Sequence, residues 1–371
     1  MNILFYTPFN DRSRDTESLM QAFVNQGHSV YLLTQAEHGH YHEACAKIGV
    51  YASAHVVKSN PLFFFLNHTF FLIRFCKKNK IQVVYAHLET AALPAVMAQY
   101  FIYAKVFVCR HVIDEPYLFN NRNFILLVKL VYRLARNVIV VSTRCKEFMV
   151  NVEKIQAAKI QVIRLAYNFN FYNIPDFEKS KEIRKLYPAK LLLLSACRLV
   201  KPKRADYAIE VAHALTEKGL DVKLLILGKG PELQNLEEIV SKKELNAYVF
   251  LLGHRTNIID YIQACDIFVH PSMLDSSSVV IKEAGLLEKP VIACRSVGDV
   301  EEYLQDGVNG FLVSKENCIP EMIEKIEAVY HDTHRIDGMG KNLKKIILNR
   351  FSIETNLPFY NLIHEHIQTV R

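Results

Sequence analysis

The chain has 371 residues, of which 50% are hydrophobic and 22% charged, with 8 cysteines and a net charge of +7. Its length exceeds what one core commonly holds and predicts two domains of roughly 170 to 190 residues, and its composition excludes a disordered or collagen-like chain. The cysteines, at 45, 76, 109, 145, 197, 265, 294 and 318, are never closer than 24 residues, which argues against zinc sites and for reduced, buried thiols in a cytosolic protein. No signal peptide is expected, because Met1-Asn2 leads straight into the apolar run Ile3-Leu4-Phe5-Tyr6.

In chain order, apolar runs at 3–7, 30–34, 83–87, 106–110, 138–142 and 161–164 alternate with helix-length segments such as 19–26, 91–103 and 124–135. This is the pattern of one doubly wound α/β domain. His38, His40 and His42 have ligand-like spacing, yet no Cys or acid pattern accompanies them, and they read as a loop. All of the basic excess lies in this half: residues 1–168 hold 19 Lys and Arg against 10 Asp and Glu, the remainder 26 against 28. It is densest at 60–80, NPLFFFLNHTFFLIRFCKKNK, with six phenylalanines, four basic residues and no acid. Asn67, His68 and Arg74 interrupt the apolar positions, which are too few for the about 20 that cross a bilayer. Two readings stand for the stretch bounded by Phe63 and Lys80. It is either an amphipathic helix on an anionic membrane surface, or a core helix that buries Phe63, Phe64 and Phe65 and leaves its basic end solvated. Nucleic acid is not an expected partner, because no recognition motif accompanies the charge.

Residues 165–189, with Asn168, Asn170, Asn173, Pro175 and Pro188, contain no clear strand and read as an interdomain linker. A second alternation follows, with strands at 191–197, 223–228, 249–253, 267–270, 291–294 and 311–313 and closing helices at 320–331, 335–348 and 354–369. Its first strand runs into Arg198-Leu199-Val200-Lys201-Pro202-Lys203, two cations five residues apart ahead of a helix starting near Ala205. Such a pair is either a solvated face or a grip on one phosphate, with Arg198 bidentate and Lys203 a point charge. Gly228-Lys229-Gly230-Pro231 then joins a strand to a helix; it lacks the third glycine and the acid of a dinucleotide site. At 266–287, DIFVHPSMLDSSSVVIKEAGLL, an apolar strand stops at His270-Pro271-Ser272, and Ser277 or Ser278 caps a helix. A strand, a polar loop and a helix amino end form the arrangement at which open α/β sheets take anionic ligands. Two carboxylates lie in it, Asp275 and Glu283, eight residues apart.

This stretch resembles the signature of the retaining nucleotide-sugar glycosyltransferases of the GT-B fold, glycosyltransferase family 4. Asp266, Pro271-Ser272, Glu283-Ala284 and Pro290-Val291-Ile292-Ala293 fall in register with it. Arg198 and Lys203 match the family's Arg and Lys in spacing, Gly228-x-Gly230-Pro231 its turn beside the nucleotide, and 297–310 its Gly-Gly-x-x-Glu and Asp-Gly-x-Asn-Gly region. In the first half, Gly27-His28-Ser29-Val30 matches as well. The departures are Asp275 for a glutamate, Ser276 and Ser278 for glycines, Cys197 and Arg204 for glycines flanking the basic pair, and Asp299 for a second glycine. No Gly-Gly turn follows the first strand, where Pro8-Phe9-Asn10 stands.

The resemblance implies two Rossmann-like, doubly wound α/β domains facing a central cleft: an acceptor-side domain at 1–168, a donor domain at 169–353, and a last helix at 354–371 packing back on the first. It implies that Arg198 and Lys203 stabilise the departing diphosphate, with N–H groups at Ser277, Ser278 and Val279, and that Gly228, His254 and Arg255 line the nucleotide. It further implies that Glu283 holds the ribose hydroxyls, that Asp275 contacts the donor sugar, and that His111, at the carboxyl end of the strand at 106–110, serves the reaction centre. No Asp-x-Asp pair occurs, and no metal cofactor is expected. The expected protein is a cytoplasmic, metal-independent retaining hexosyltransferase, peripheral at the inner face of the plasma membrane. It would move a sugar from a UDP- or GDP-sugar to a glycan or lipid-linked acceptor in cell-surface polysaccharide or lipopolysaccharide-type biosynthesis. The lost glycines, Asp275 and the absent Gly-Gly turn leave open a non-catalytic GT-B-fold subunit that binds a partner or membrane, and a nucleotide-sugar epimerase on the same fold is a third reading.

Overall fold

The alternation of strands and helices folds as two units in a computed structural model whose described residues are 1–113, 122–171, 174–332 and 334–368. One unit comprises Met1–Phe169 with Phe351–Arg371, the other Asn170–Arg350. The first contains β1 (Asn2–Thr7), α1 (Arg14–Asn25), β2 (Ser29–Thr34), α2 (His40–Lys47), β3 (Tyr51–Ala54), α3 (Pro61–Lys78) and β4 (Val83–His87). It continues with α4 (Leu88–Ala98), β5 (Lys105–Arg110), α5 (Arg122–Leu134), β6 (Asn137–Val140), α6 (Thr143–Asn151) and β7 (Ile160–Val162). Its sheet runs β3-β2-β1-β4-β5-β6-β7 with every pairing parallel. A parallel sheet needs cover on both faces, and the strands alternate accordingly. Ile3 and Phe5 pack with α1 and α2, whereas Leu4 and Tyr6 pack with α3 and α4.

The second unit contains α7 (Phe177–Leu186), β8 (Leu191–Ala196), α8 (Ala205–Glu217), β9 (Val222–Leu227), α9 (Leu233–Lys242), β10 (Val249–Gly253) and α10 (Ile258–Ala264). After these come β11 (Ile267–His270), α11 (Val279–Leu286), β12 (Val291–Cys294), β13 (Gly310–Val313), α12 (Cys318–Tyr330) and α13 (His334–Phe351). Its sheet runs β10-β9-β8-β11-β12-β13, again wholly parallel. Every residue of β8, LLLLSA, is buried, as a strand covered on both faces requires. The chain then returns to the first unit: the Tyr167 N–H donates to the Phe351 carbonyl at 2.8 Å, and the Ile353 N–H to the Tyr167 carbonyl at 2.9 Å. There α14 (Ile353–Gln368) buries Ile353, Tyr360 and Ile363 in the core that holds Phe23 and Tyr85.

Several expectations change. β3 was not expected; YASA is short and weakly apolar, and it survives as an edge strand paired only to β2. The segment read as a linker holds α7, capped by Asp176, whose side chain accepts from the N–H groups of Glu178 and Lys179. That helix buries only Ser180 and Ile183, too few apolar positions to show a periodic stripe. Asn173 in the same segment, and 369–371 at the end of the last expected helix, lie outside the described residues. His40 and His42 begin α2 and are not in a loop; His42 is buried, with Nδ1 accepting from the Gly39 N–H at 3.1 Å and Nε2 2.9 Å from Thr34 Oγ1. Among the described residues no group of three or more His, Cys, Asp or Glu side chains could hold a metal ion. α3 buries His68, Thr69, Leu72 and Cys76 but leaves Phe63 exposed, so it is not the core helix that would bury all three leading phenylalanines. No described helix is long and apolar enough to cross a membrane.

Two buried histidines tie the stability of the first unit to pH. Burial, then neighbouring His55, pushes His68 down to about 4, and burial, then His28, does the same for His364. An unfolded histidine takes its proton near 6.5, so between about 6.5 and about 4 the unfolded chain binds more protons than the folded one. Stability is therefore expected to fall as pH drops through that window, by up to about 1.4 kcal/mol per pH unit per histidine. Urea denaturation at pH 7.5, 6 and 5 measures it. A midpoint that does not fall toward pH 5 contradicts this account, and His364→Gln should flatten the slope.

Candidate functional site

Strand order reverses at β8, with β9 on one side and β11 on the other. Loops leaving the carboxyl ends of two such strands diverge, and the crevice they leave is where open α/β sheets take ligands. The loop after β8 is set by backbone packing. The Leu199 N–H donates to the Lys229 carbonyl at 3.0 Å, and the Glu232 N–H to the Leu199 carbonyl at 3.0 Å. A Cβ at Gly228, whose φ is +147°, would lie 1.9 Å from the Cys197 carbonyl oxygen, and one at Gly230 2.2 Å from that of Leu199. Only glycine fits there. This glycine pair fixes the path of the loop that carries Arg198 and Lys203.

That loop is stitched across the reversal to the loop after β11. The Met273 N–H donates to the Pro202 carbonyl at 3.0 Å. Lys203 Nζ donates to the Leu274 carbonyl at 3.0 Å and to Asp275 Oδ2 at 2.8 Å. His270 Nε2 lies 3.2 Å from the same oxygen; an ionised carboxylate only accepts, so that nitrogen carries the proton. Burial pushes the Asp275 carboxyl up, but the His270 hydrogen bond and the Lys203 ammonium outweigh it and hold the group well below the usual carboxylate range. Asp275 is thus an ionised acceptor at neutral pH, and not a proton donor.

The amino end of α11 is built by a second charged group. Ser278 occupies the cap position without a side-chain cap hydrogen bond. Ser277 Oγ donates to Asp299 Oδ2 at 2.5 Å. Lys282 Nζ donates to Ser277 Oγ at 2.8 Å, to the Ser278 carbonyl at 3.2 Å and to Asp299 Oδ2 at 3.1 Å, and lies 5.0 Å from the centre of the Tyr303 ring. The side chains of Lys282 and Asp299 are 1% and 0% exposed. Burial raises the Asp299 carboxyl, and Lys282 offsets only part of that. The Ser277 hydroxyl is committed inward, so what the turn offers a ligand is backbone N–H.

The remaining sequence-derived residues fall as follows. Arg198 is exposed; its carbonyl accepts from the Val200 N–H at 2.9 Å, and its guanidinium makes no hydrogen bond or ion pair among the described residues. Glu283 is buried in the second turn of α11, and Val279 is its first residue. His254 and Arg255 are exposed just past β10, at the edge of the sheet. In the first unit, His111 follows β5 and its Nε2 lies 2.8 Å from Nδ1 of His87, which ends β4. Burial holds His111 below its ordinary range, with Asp15 and Glu89 partly opposing; burial and His111 together hold His87 well below. The two rings share one hydrogen bond as neutral imidazoles. A cavity of about 20 Å³ beside them, bordered by Asp15, Thr16 and Tyr360, has room for about one water. Sequence reasoning missed His270 and Lys282. A strand-end His before Pro-Ser and a Lys beside Glu283 carry no signal of their own; the acid at 299, where the family has glycine, was the only hint that a buried cation answers it.

Two parallel Rossmann-like sheets with this site are the GT-B architecture, and the solved structure of Anabaena HepE in complex with UDP and glucose superposes with a TM-score of 0.83 at 20% identity, over 98% of this chain and 99% of that one. Residues 13–170 match Glycosyltransferase Family 4 and residues 176–346 match Glycosyl transferases group 1. The chain belongs to glycosyltransferase family 4. Among curated proteins it is similar to the alpha-D-kanosaminyltransferase of Streptomyces kanamyceticus, 26% identical over 60% of this chain. It is also similar to the capsular polysaccharide biosynthesis glycosyltransferase CapM of Staphylococcus aureus, 26% identical over 61% of this chain. The matched stretch spans 58% and 60% of those two proteins' own lengths, less than two thirds of either.

The buried pair makes a stability prediction. Removing one partner leaves the other charge desolvated, which costs about 3–5 kcal/mol, whereas replacing both with apolar groups costs less. Lys282→Met is expected to lose that much in chemical denaturation, and Lys282→Met with Asp299→Leu to recover part of it. A single variant within about 1 kcal/mol of wild type contradicts the pairing.

Proposed function

We propose that this chain transfers a sugar from a UDP-sugar to a glycan or lipid-linked acceptor of a cell-surface polysaccharide, with retention of anomeric configuration and without a metal. One observation carries the reading: Lys203, on the loop that also carries the exposed Arg198, meets Asp275 of the loop after β11 at the strand-order reversal of the second sheet. The UDP and glucose bound by HepE, and the capsular polysaccharide in the name of CapM, support the donor and the acceptor class.

The chemistry follows from charge. As the anomeric C–O bond breaks, the diphosphate leaves with added negative charge. The Arg198 guanidinium and Lys203 ammonium take it up, and backbone N–H groups at Ser277, Ser278 and Val279 add the positive end of α11. These cations perform the task that a metal performs elsewhere. Positive charge developing at the anomeric carbon is met by the ionised Asp275, Glu283 takes the ribose hydroxyls, and His254 and Arg255 border the base. Neutral His111 takes the acceptor-side role. The eight cysteines, seven of them buried, support a cytoplasmic setting.

Thermal stabilisation by UDP, GDP, ADP and CMP tests this directly. A nucleotide at about 100 times its dissociation constant adds about 2.7 kcal/mol. UDP is expected to stabilise the protein. Arg198→Ala, at an exposed position, is expected to keep the fold and lose about 2–5 kcal/mol of binding or transition-state stabilisation. No shift with any nucleotide would replace the transferase by a non-catalytic subunit, and release of a modified sugar without acceptor would make it an epimerase.

A further inference from the structure

One side of the first unit carries apolar surface that no described contact covers. α3 and α4 cover the half of its sheet that holds β1, β4 and β5, and α4 and α5 the half that holds β5 and β6, so α4 packs between the other two helices. α5 is apolar on two sides. It buries Val128, Val131 and Tyr132 and exposes Leu126, Leu130 and Leu134, at 65%, 50% and 42%, four residues apart and therefore one stripe along the helix. The turn after α4 sits beside the end of that stripe: Gln99 Nε2 donates to the Leu134 carbonyl at 3.0 Å, and the Arg136 guanidinium lies 4.9 Å from the centre of the Tyr100 ring. There Tyr100 and Phe101 are exposed, and Tyr103 is 99% exposed. α3, across α4, adds Leu62, Phe63 and Phe70, at 71%, 55% and 66%.

Among the described residues, every formally charged side chain of α3, the turn at 100–103 and α5 is positive. Neither α3 nor α5 contains an acid. Between Glu43 and Glu147 the sequence holds 14 Lys and Arg against three acids, Glu89, Asp114 and Glu115. Asp114 and Glu115 lie outside the described residues, and Glu89 accepts from the buried Tyr132 hydroxyl. Arg74, Lys77 and Lys78 border the apolar residues of α3, and Arg133 and Arg136 those of α5. A second copy seated on this face by two-fold symmetry would press cation against cation. A surface with an apolar interior and anionic head groups answers both features, since aromatic and leucine side chains enter the interfacial layer while Lys and Arg stay at the phosphates.

We propose that this face, formed by α3, the Tyr100 to Tyr103 turn and α5, seats the chain on an anionic membrane. It extends well beyond the segment at 63–80, and its α5 stripe supplies the apolar anchor farthest from α3. The inference rests on the proposed lipid-linked or cell-surface acceptor only for its purpose; the binding itself needs no catalysis.

Flotation with vesicles of phosphatidylcholine alone, and of phosphatidylcholine with phosphatidylglycerol, tests the proposal beside the UDP stabilisation assay. Wild type is expected to float with the anionic vesicles only, and less so as salt rises. Leu126→Glu with Leu130→Glu should lower the partition by about tenfold or more, and Phe63→Glu should lower it as well. Phe177→Glu, at an exposed position on α7 of the other unit, should float as wild type does. All of these variants should keep the UDP shift. Absent flotation with an intact UDP shift overturns the membrane face alone, whereas flotation without any UDP shift overturns the transferase reading alone. A lipid-free dimer in sedimentation, dissolved by the α5 double variant, overturns the proposal in favour of a second copy on this face.

Discussion

In the second unit, everything at the site depends on one topological constraint, the reversal of strand order at β8 in a sheet whose strands are all parallel. Parallel strands put every carboxyl end on the same edge. The reversal then makes neighbours of two loops some seventy residues apart, as the Ser272 Oγ to Pro202 carbonyl contact records. The glycines at 228 and 230 serve that constraint. They let the turn after β9 lie backbone against backbone on the loop after β8, the loop that carries Arg198 and Lys203.

Two ion pairs stand at this edge, and their exposure separates their roles. Lys203 and Asp275 are 15% and 18% exposed, within reach of solvent. Lys282 and Asp299 have almost no exposure and are costly to separate. The first pair lies open to a ligand, and the second belongs to the frame. Asp299 stands where the family has glycine, and it is answered by a lysine one residue before Glu283. A departure that looks damaging in isolation is compensated by a partner one loop away.

The first unit is organised by different forces. Its histidines at 68, 87 and 364 are desolvated and held neutral, and edge-on contacts of Tyr360 with Phe23 and Tyr85 bind the returning helix to the core of this unit. Its surplus of positive charge remains on the surface, interleaved with exposed leucine and aromatic side chains.

The sequence by itself determined the two α/β alternations, because buried parallel strands must be unbroken apolar runs and their edges are cut by Gly, Pro and Asn. It also determined the candidate residues Arg198, Lys203, Asp275 and Glu283, because a motif's spacing survives even where its glycines do not. It did not reveal α7 or β3, whose few buried positions leave no period to detect. Only the tertiary structure decided that Lys203 faces Asp275, that His270 joins them, and that Lys282 lies beneath Ser277. It also decided which side of α5 is dry. Those facts depend on pairings between residues far apart in the chain, and a single sequence records which residues are present but not which of them share a desolvated space.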